Sequence, residues 1–315
     1  MAWHRATPWP RIATCLCVAA WLCVAGSLCI AAPALAWNGT ESASAPPALR
    51  GMGGAGIAGA LGTGALFTNP AAMAVQPGQN VELGFSRDRL PGRTGFWAGS
   101  VDGNRGGIAG GTVYSYETGK SAAGRTRVGT DWRSGIALGA ASDTASIVLG
   151  GTLRRLSMDV GAGAGEAKES YAGWTGDVGL LVGLGQHLRF GAVWRDVVDV
   201  GSSVAARVET RSRLGGGLSV NVGPVLAAAD AIWPLDGGDP AWHAGMAVTL
   251  GSVVQLRGGW RMDPVSVARH LIAGGMALRI ESYGLDVGFD IDPQTPERFR
   301  VAVSLVFGIP YVIGN

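Results

Sequence analysis

Few residues in this chain are spaced to carry out covalent or metal chemistry. All four cysteines, Cys15, Cys17, Cys23 and Cys29, lie within one apolar run near the N-terminus. Each follows a threonine or a leucine, residues too large or branched for a lipoprotein cleavage site. A chain that loses this run keeps no thiol and no Cys-based metal site. The other histidines past the leader, His187, His243 and His270, stand in no recognised nucleophile spacing. His187 sits in a Gly-Gln-His turn and is expected in solvent, and His243, beside Trp242, is expected at an interface. Gly51-Met52-Gly53-Gly54-Ala55-Gly56 satisfies G-x-G-x-x-G, but a dinucleotide site needs a buried strand before it and a βαβ unit after it. Here a Pro-containing spacer precedes and alternating segments follow, so the match is set aside. No catalytic residue, metal ligand or cofactor site is nominated, and the chain is not read as an enzyme.

What remains is a set of charges at even spacings: Arg189 and Arg195, Arg257 and Arg261, Asp286 and Asp290, Arg298 and Arg300. On strands, even spacing puts each pair on one face. There they could steer a polar or amphipathic solute, or pair across neighbouring strands and rigidify an interior. The pairing reading is preferred.

The elements that would position them are strands. Tyr283, Leu285, Val287, Phe289 and Ile291 alternate with Gly284, Asp286, Gly288, Asp290 and Asp292; Phe299, Val301, Val303, Leu305 and Phe307 alternate with Arg298, Arg300, Ala302, Ser304 and Val306. The same grammar runs through Leu188 to Arg195 and Val254 to Arg261. Segments of roughly 8 to 12 residues between Gly, Pro, Asp and Asn turns begin near Val81, Thr94, Gly107, Ser134, Ala145, Tyr171, His187, Ser212, Val225, Ala241, Val253, Val267, Tyr283 and Arg298. That predicts about fourteen antiparallel strands, and an even number closes a single-chain barrel without an exposed edge.

Alternation alone also fits a soluble sandwich; composition and an export signal separate the two. The N-terminus has a basic stretch with Arg5 and Arg11, an apolar run from Ile12 to Ile30, then Ala34-Leu35-Ala36. This reads as a secretory leader cut between Ala36 and Trp37, although the run is long enough for an uncleaved anchor. Two of the 25 basic residues fall in that leader, leaving 23 against 23 acidic ones. Near-neutral charge argues against a nucleic-acid partner. Charged residues make up 15% of the chain and glycines 52 of 315, against about 25% and about 7% in soluble domains. Charges inside and apolar residues outside give the membrane-barrel pattern. Trp97, Trp132, Trp194, Trp233, Trp242 and Trp260, within or at the ends of strands, are expected to form an interfacial girdle.

Between leader and barrel, Arg50 to Ala74 is dominated by small residues. Gly51, Gly53, Gly54 and Gly56, followed by Ala65-Leu66-Phe67-Thr68-Asn69-Pro70-Ala71-Ala72-Met73, resemble the N-terminal motif of the long-chain fatty-acid transporter (FadL-like) superfamily of outer-membrane barrels, and more closely its PorV/PorQ-like branch, associated with type IX secretion. Asp177 to Leu181 leading into Gly191 to Val197, and Val303 to Gly308, look like the same branch. The resemblance implies a 14-strand barrel with a short helical plug inside it, with Phe67, Asn69 and Pro70 in the plug motif. The chain departs from that family in being compact and in running past Phe307 to Asn315 without a terminal aromatic. The residues themselves suit a plug: small side chains allow close backbone packing, Pro70 ends a helix and Asn69 caps or turns it.

The expected organisation is a leader over 1–36, a spacer over 37–49, a plug over 50–78 and an all-β transmembrane barrel over 79–315. The resemblance implies an outer-membrane transporter or diffusion channel for hydrophobic small molecules. The alternative it carries is an accessory barrel that docks secreted proteins or an envelope machine without moving solute. Membrane lipid is the expected partner, with a hydrophobic ligand or secreted proteins beside it. Oligomeric state is left open.

Overall fold

The computed structural model describes residues 45–60, 62–75, 78–89, 92–103, 107–120, 126–142, 144–161, 169–201, 212–264 and 270–308. The expected cleavage residues Ala34, Ala36 and Trp37, and the tail 309–315, lie outside these. Among the described residues fifteen strands form one sheet: β1 (Gly78–Asp88), β2 (Arg93–Gly103), β3 (Ile108–Lys120), β4 (Thr126–Ala141), β5 (Ala145–Val160), β6 (Glu169–Leu184), β7 (Leu188–Arg195), β8 (Asp199–Gly201), β9 (Arg213–Val222), β10 (Val225–Pro234), β11 (Ala241–Leu250), β12 (Val254–Met262), β13 (His270–Ile280), β14 (Tyr283–Ile291) and β15 (Phe299–Gly308). All pairings are antiparallel, and β1 closes on β15 from Asn80↔Gly308 to Asp88↔Arg300. Because β7 and β8 follow one another along β6, the fifteen stretches make a closed barrel of fourteen staves.

The break between β7 and β8 falls at Asp196, which takes a left-handed φ of 51°. Its backbone N–H donates to Asp177 Oδ1 at 2.9 Å and its Oδ1 accepts from Thr175 Oγ1 at 3.0 Å. Both partners lie on β6, so the kinked residue is tied to the neighbouring stave. Such bulges are local, built-in features of barrels.

The strand starts follow the alternation closely except at the fourth stave. β4 begins at Thr126, well ahead of the expected Ser134. Its first half lacked the signal because Thr126 and Thr130 interrupt the outward face. β4, β5 and β6 are 16 residues each, against 9 to 11 for β10 to β15. At about 3.3 Å per residue, this wall rises well beyond the rest.

The outer surface carries the apolar half of the alternation. Leu83, Phe85, Phe96, Ile136, Leu149, Val178, Phe190, Leu256, Phe289 and Leu305 are exposed. So large a continuous apolar exterior is stable only against lipid. Trp194, Trp233 and Trp242 are exposed close to one rim, and Trp132 meets Trp174 edge-on at 6.0 Å, with Arg155 over the Trp174 ring at 5.6 Å. Trp97 breaks from the expected girdle. It is 3% exposed and points into the lumen beside Gly84. Parity decides this: Arg93 and Val101, on the same face of β2, are buried too.

Inside the barrel lie α1 (Pro47–Gly51), a 3-10 turn at Gly62–Gly64, α2 (Ala65–Thr68) and a 3-10 turn at Pro70–Val75. The plug therefore starts earlier than Arg50, within the segment expected to be a spacer, and β1 begins at Gly78. Ile57, Ala65, Leu66, Asn69, Ala71 and Met73 are almost wholly buried.

Strand glycines make room for it. Five cross-strand Gly–Gly pairs face the lumen: Gly111↔Gly135, Gly150↔Gly179, Gly191↔Gly217, Gly245↔Gly259 and Gly275↔Gly288. A Cβ on these would collide in turn with Met73, with Asn69 to Ala71, with Ile57, with Met52, and with Gly51 or Pro47. The plug thus winds round the inner wall against the order of the strands; four of the glycine pairs let plug backbone approach the strands, and Gly111 with Gly135 makes room for the Met73 side chain.

Candidate functional site

Side chains from the wall reach the plug at points spread round the barrel. Arg50 Nη1 on α1 donates to Asp290 Oδ2 on β14 at 2.9 Å, both side chains buried. Asp230 Oδ2 on β10 accepts the backbone N–H of Gly56 at 2.6 Å and of Ile57 at 2.9 Å. Ser219 Oγ donates to Ala58 O at 3.0 Å. Asn69 Nδ2 donates to Ile57 O at 2.9 Å and to Leu180 O at 3.0 Å, while its Oδ1 accepts from Ala71 N at 3.1 Å. Arg133 Nη1 donates to Leu66 O at 3.2 Å, with its guanidinium 4.6 Å from the Phe67 ring centre, and Arg195 Nη2 donates to Thr68 O at 3.1 Å. Thr63 bonds Glu82 on β1. These bonds satisfy turn carbonyls and amides that a short irregular segment cannot satisfy within itself.

Among the described residues, two hollows lie beside the plug. One lies toward the kink at Asp196 and has a cavity of about 100 Å³; it is lined by Leu49, Arg50, Phe67, Arg133, Arg154, Asp177, Arg195, Asp196, Arg213, His243, Arg261 and Asp290, among others. The other, about 760 Å³, reaches the tight turn at Gly251–Val253 and the turn at Glu281. Its wall mixes Leu49, Met52, Leu226, Val254, Ala277, Ile280 and Val306 with Glu82, Gln255, Arg257, Arg279 and Asp286. Helix α1 separates them. Leu49 borders both, Arg50 only the first, and Ala48 and Met52 only the second. Long loops and short turns distinguish the two faces of outer-membrane barrels, so the chambers are named here the loop-side and turn-side chambers.

Of the charges nominated from the sequence, Arg195, Arg261 and Asp290 border the loop-side chamber and Arg257 and Asp286 the turn-side one. Asp286 is bracketed by Arg257 at 3.3 Å and Arg279 at 2.8 Å. Arg300 lies 3.5 Å from Asp290 and 3.8 Å from Asp88, with both carboxylates on neighbouring staves. Arg189 is half-buried on the inner face of β7 and borders neither chamber. Arg298 differs from expectation. It precedes β15, its side chain is 33% exposed, and its Nη1 is 4.0 Å from Asp292 Oδ2, so it stands at the rim rather than on the lumen wall. His243 also differs: it is buried, with Nδ1 3.3 Å from Gly54 O, because it shares the inward face of β11 with Gly245 and Ala247. His187 is exposed, its Nδ1 2.9 Å from Asn221 O.

Sequence reasoning missed much of the loop-side charge. Asp131 holds Arg133 at 2.9 Å and Arg154 at 2.8 Å, Arg154 lies 3.7 Å from Asp196, and Arg93 meets Glu117 at 3.1 Å. The spacing of Asp131 and Arg133 was the available signal, hidden because the outward residues between and beside them are not uniformly apolar. Arg50 was read only as the start of a glycine segment.

The apolar exterior, closed sheet and plugged polar interior define a class: a transmembrane β-barrel of fourteen staves with an internal N-terminal plug. Solved structures of that fold resemble it over most of its length. The toluene transporter TbuX of Ralstonia pickettii is 13% identical with a TM-score of 0.57, covering 85% of this chain and 98% of that one. The monoaromatic hydrocarbon channel CymD is 12% identical with a TM-score of 0.63, covering 86% and 98%. A FadL homologue of Pseudomonas aeruginosa is 9% identical with a TM-score of 0.55, covering 84% and 98%. At such identities the likeness is one of fold alone. None of these likenesses shows the PorV-like branch. No protein-family model and no curated protein matches the chain.

Proposed function

We propose that the protein is an outer-membrane channel for the uptake of hydrophobic small molecules. The observation that carries this reading is the larger, turn-side chamber of about 760 Å³, whose wall includes Leu49, Met52, Leu226 and Val306 beside a few charged groups. Ligand sites are mostly apolar hollows with a few polar groups to orient the guest. The fold likeness to a toluene transporter and a monoaromatic hydrocarbon channel supports the same reading. In it, the leader over 1–36 exports the chain and the plug sets which solutes pass.

The test is uptake of labelled toluene and of a labelled fatty acid into proteoliposomes, for the intact barrel and for a variant lacking residues 51–74. Uptake by the intact protein above protein-free liposomes is expected. Absence of uptake in both forms overturns the proposal.

A further inference from the structure

We infer that the loop-side chamber is a binding site for a compact oxyanion, a small organic carboxylate or inorganic phosphate, seated on Arg195. This rests on the uptake reading and adds to it a site that distinguishes acidic from neutral solutes.

The chamber's lining holds six arginines and three aspartates. The aspartates are engaged: Asp290 with Arg50 at 2.9 Å, Asp196 with Thr175 at 3.0 Å, Asp177 with Thr152 at 3.2 Å and the Asp196 amide. Arg195 is placed differently. Among the described residues it makes no ion pair; Nη2 donates to the Thr68 carbonyl at 3.1 Å and Nε is buried without a partner. A carbonyl fixes a guanidinium in place without cancelling its charge. An oxyanion meeting that planar fork gains charge-assisted bonds to donors already oriented. Arg133 at the edge of the chamber also donates to a plug carbonyl, that of Leu66 at 3.2 Å, but its charge is paired with Asp131 at 2.9 Å, which leaves Arg195 as the seat.

Size limits the guest. At about 30 Å³ per liquid water, the cavity of about 100 Å³ holds on the order of three waters. Phosphate, or the carboxylate head of a small acid such as benzoate, matches that space beside the Phe67 ring.

Titration calorimetry on the detergent-purified full chain tests this with benzoate, its neutral near-isostere benzamide, and inorganic phosphate. Benzoate or phosphate is expected to bind and benzamide not; which anion binds more tightly tells a carboxylate site from a phosphate site. Arg195→Gln is expected to weaken the bound anion by about tenfold or more, and Arg195→Lys to recover part of the loss. Benzamide binding as well as benzoate, neither anion binding, or unchanged affinity in a folded Arg195→Gln barrel overturns the inference. The benzoate and benzamide comparison needs no variant, so it decides even if Arg195→Gln does not assemble. Toluene uptake is measured separately: its failure in the wild type removes the uptake reading and leaves the anion result to be judged alone.

Discussion

Arg50 on the plug and Asp290 on the fourteenth strand form a buried ion pair at 2.9 Å, 240 residues apart in sequence. Asp290 also lies 3.5 Å from Arg300, so one carboxylate ties the plug to the charge pairing of the closing staves. Removing one member of a buried pair leaves the other charge uncompensated, at about 3 to 5 kcal/mol. Asp290→Asn is therefore expected to lower the urea midpoint of the barrel in detergent or thin bilayers markedly. An unchanged midpoint would show that Arg50 finds another partner at little cost.

The glycine pairs give a steric prediction. A side chain at Gly150 or Gly179 occupies space now filled by Asn69, Pro70 and Ala71. Gly150→Val is expected to push out this part of the plug while the strands still close, raising single-channel conductance with the heat-modifiable gel shift retained. Gly151, whose Cβ would meet only the Asp177 carbonyl at 3.7 Å, supplies the control. Gly151→Ala should conduct as the wild type does.

Asp230 accepts two plug amides with one oxygen. Asp230→Ala leaves both buried N–H groups without that acceptor, at about 1 to 3 kcal/mol each. Hydrogen exchange at Gly56 and Ile57 is expected to speed up by at least an order of magnitude, with β2 and β3 amides unchanged. Equal acceleration throughout would mean that the whole barrel, not the plug, depends on Asp230.

The lipid-facing reading of the outer surface is tested at Leu149, 59% exposed and in the middle of the apolar stretch of β5. Leu149→Arg should cost about 2 to 4 kcal/mol of folding stability in bilayers if it lies near the midplane. The same change at Ser157, beyond Arg155 on the same face, should be nearly neutral. Matching losses at both positions would place the membrane boundary elsewhere.

How much could be read beforehand follows from what each signal depends on. The alternation at β14 and β15 was legible because one face meets lipid and the other an ordered interior, so residue type switches at every step. It failed at the start of β4, where the stave continues among outward threonines and the contrast fades. Trp97 and His243 were misjudged for a related reason: composition suggested an interface, but the parity of their own strands put them inside.

The sequence by itself determined the class of the fold, a strand count near fourteen and the shared faces of Arg257 with Arg261 and of Asp286 with Asp290, because period-two alternation is a local property of each strand. It also marked the small-residue segment that became the plug. Only the tertiary structure decided that glycines spaced along ten strands pair across the sheet and clasp that segment, that Arg50 meets Asp290, and that the lumen divides into two unlike chambers. Those relations depend on register and closure, which bring together residues hundreds of positions apart and leave no trace in any single stretch of chain.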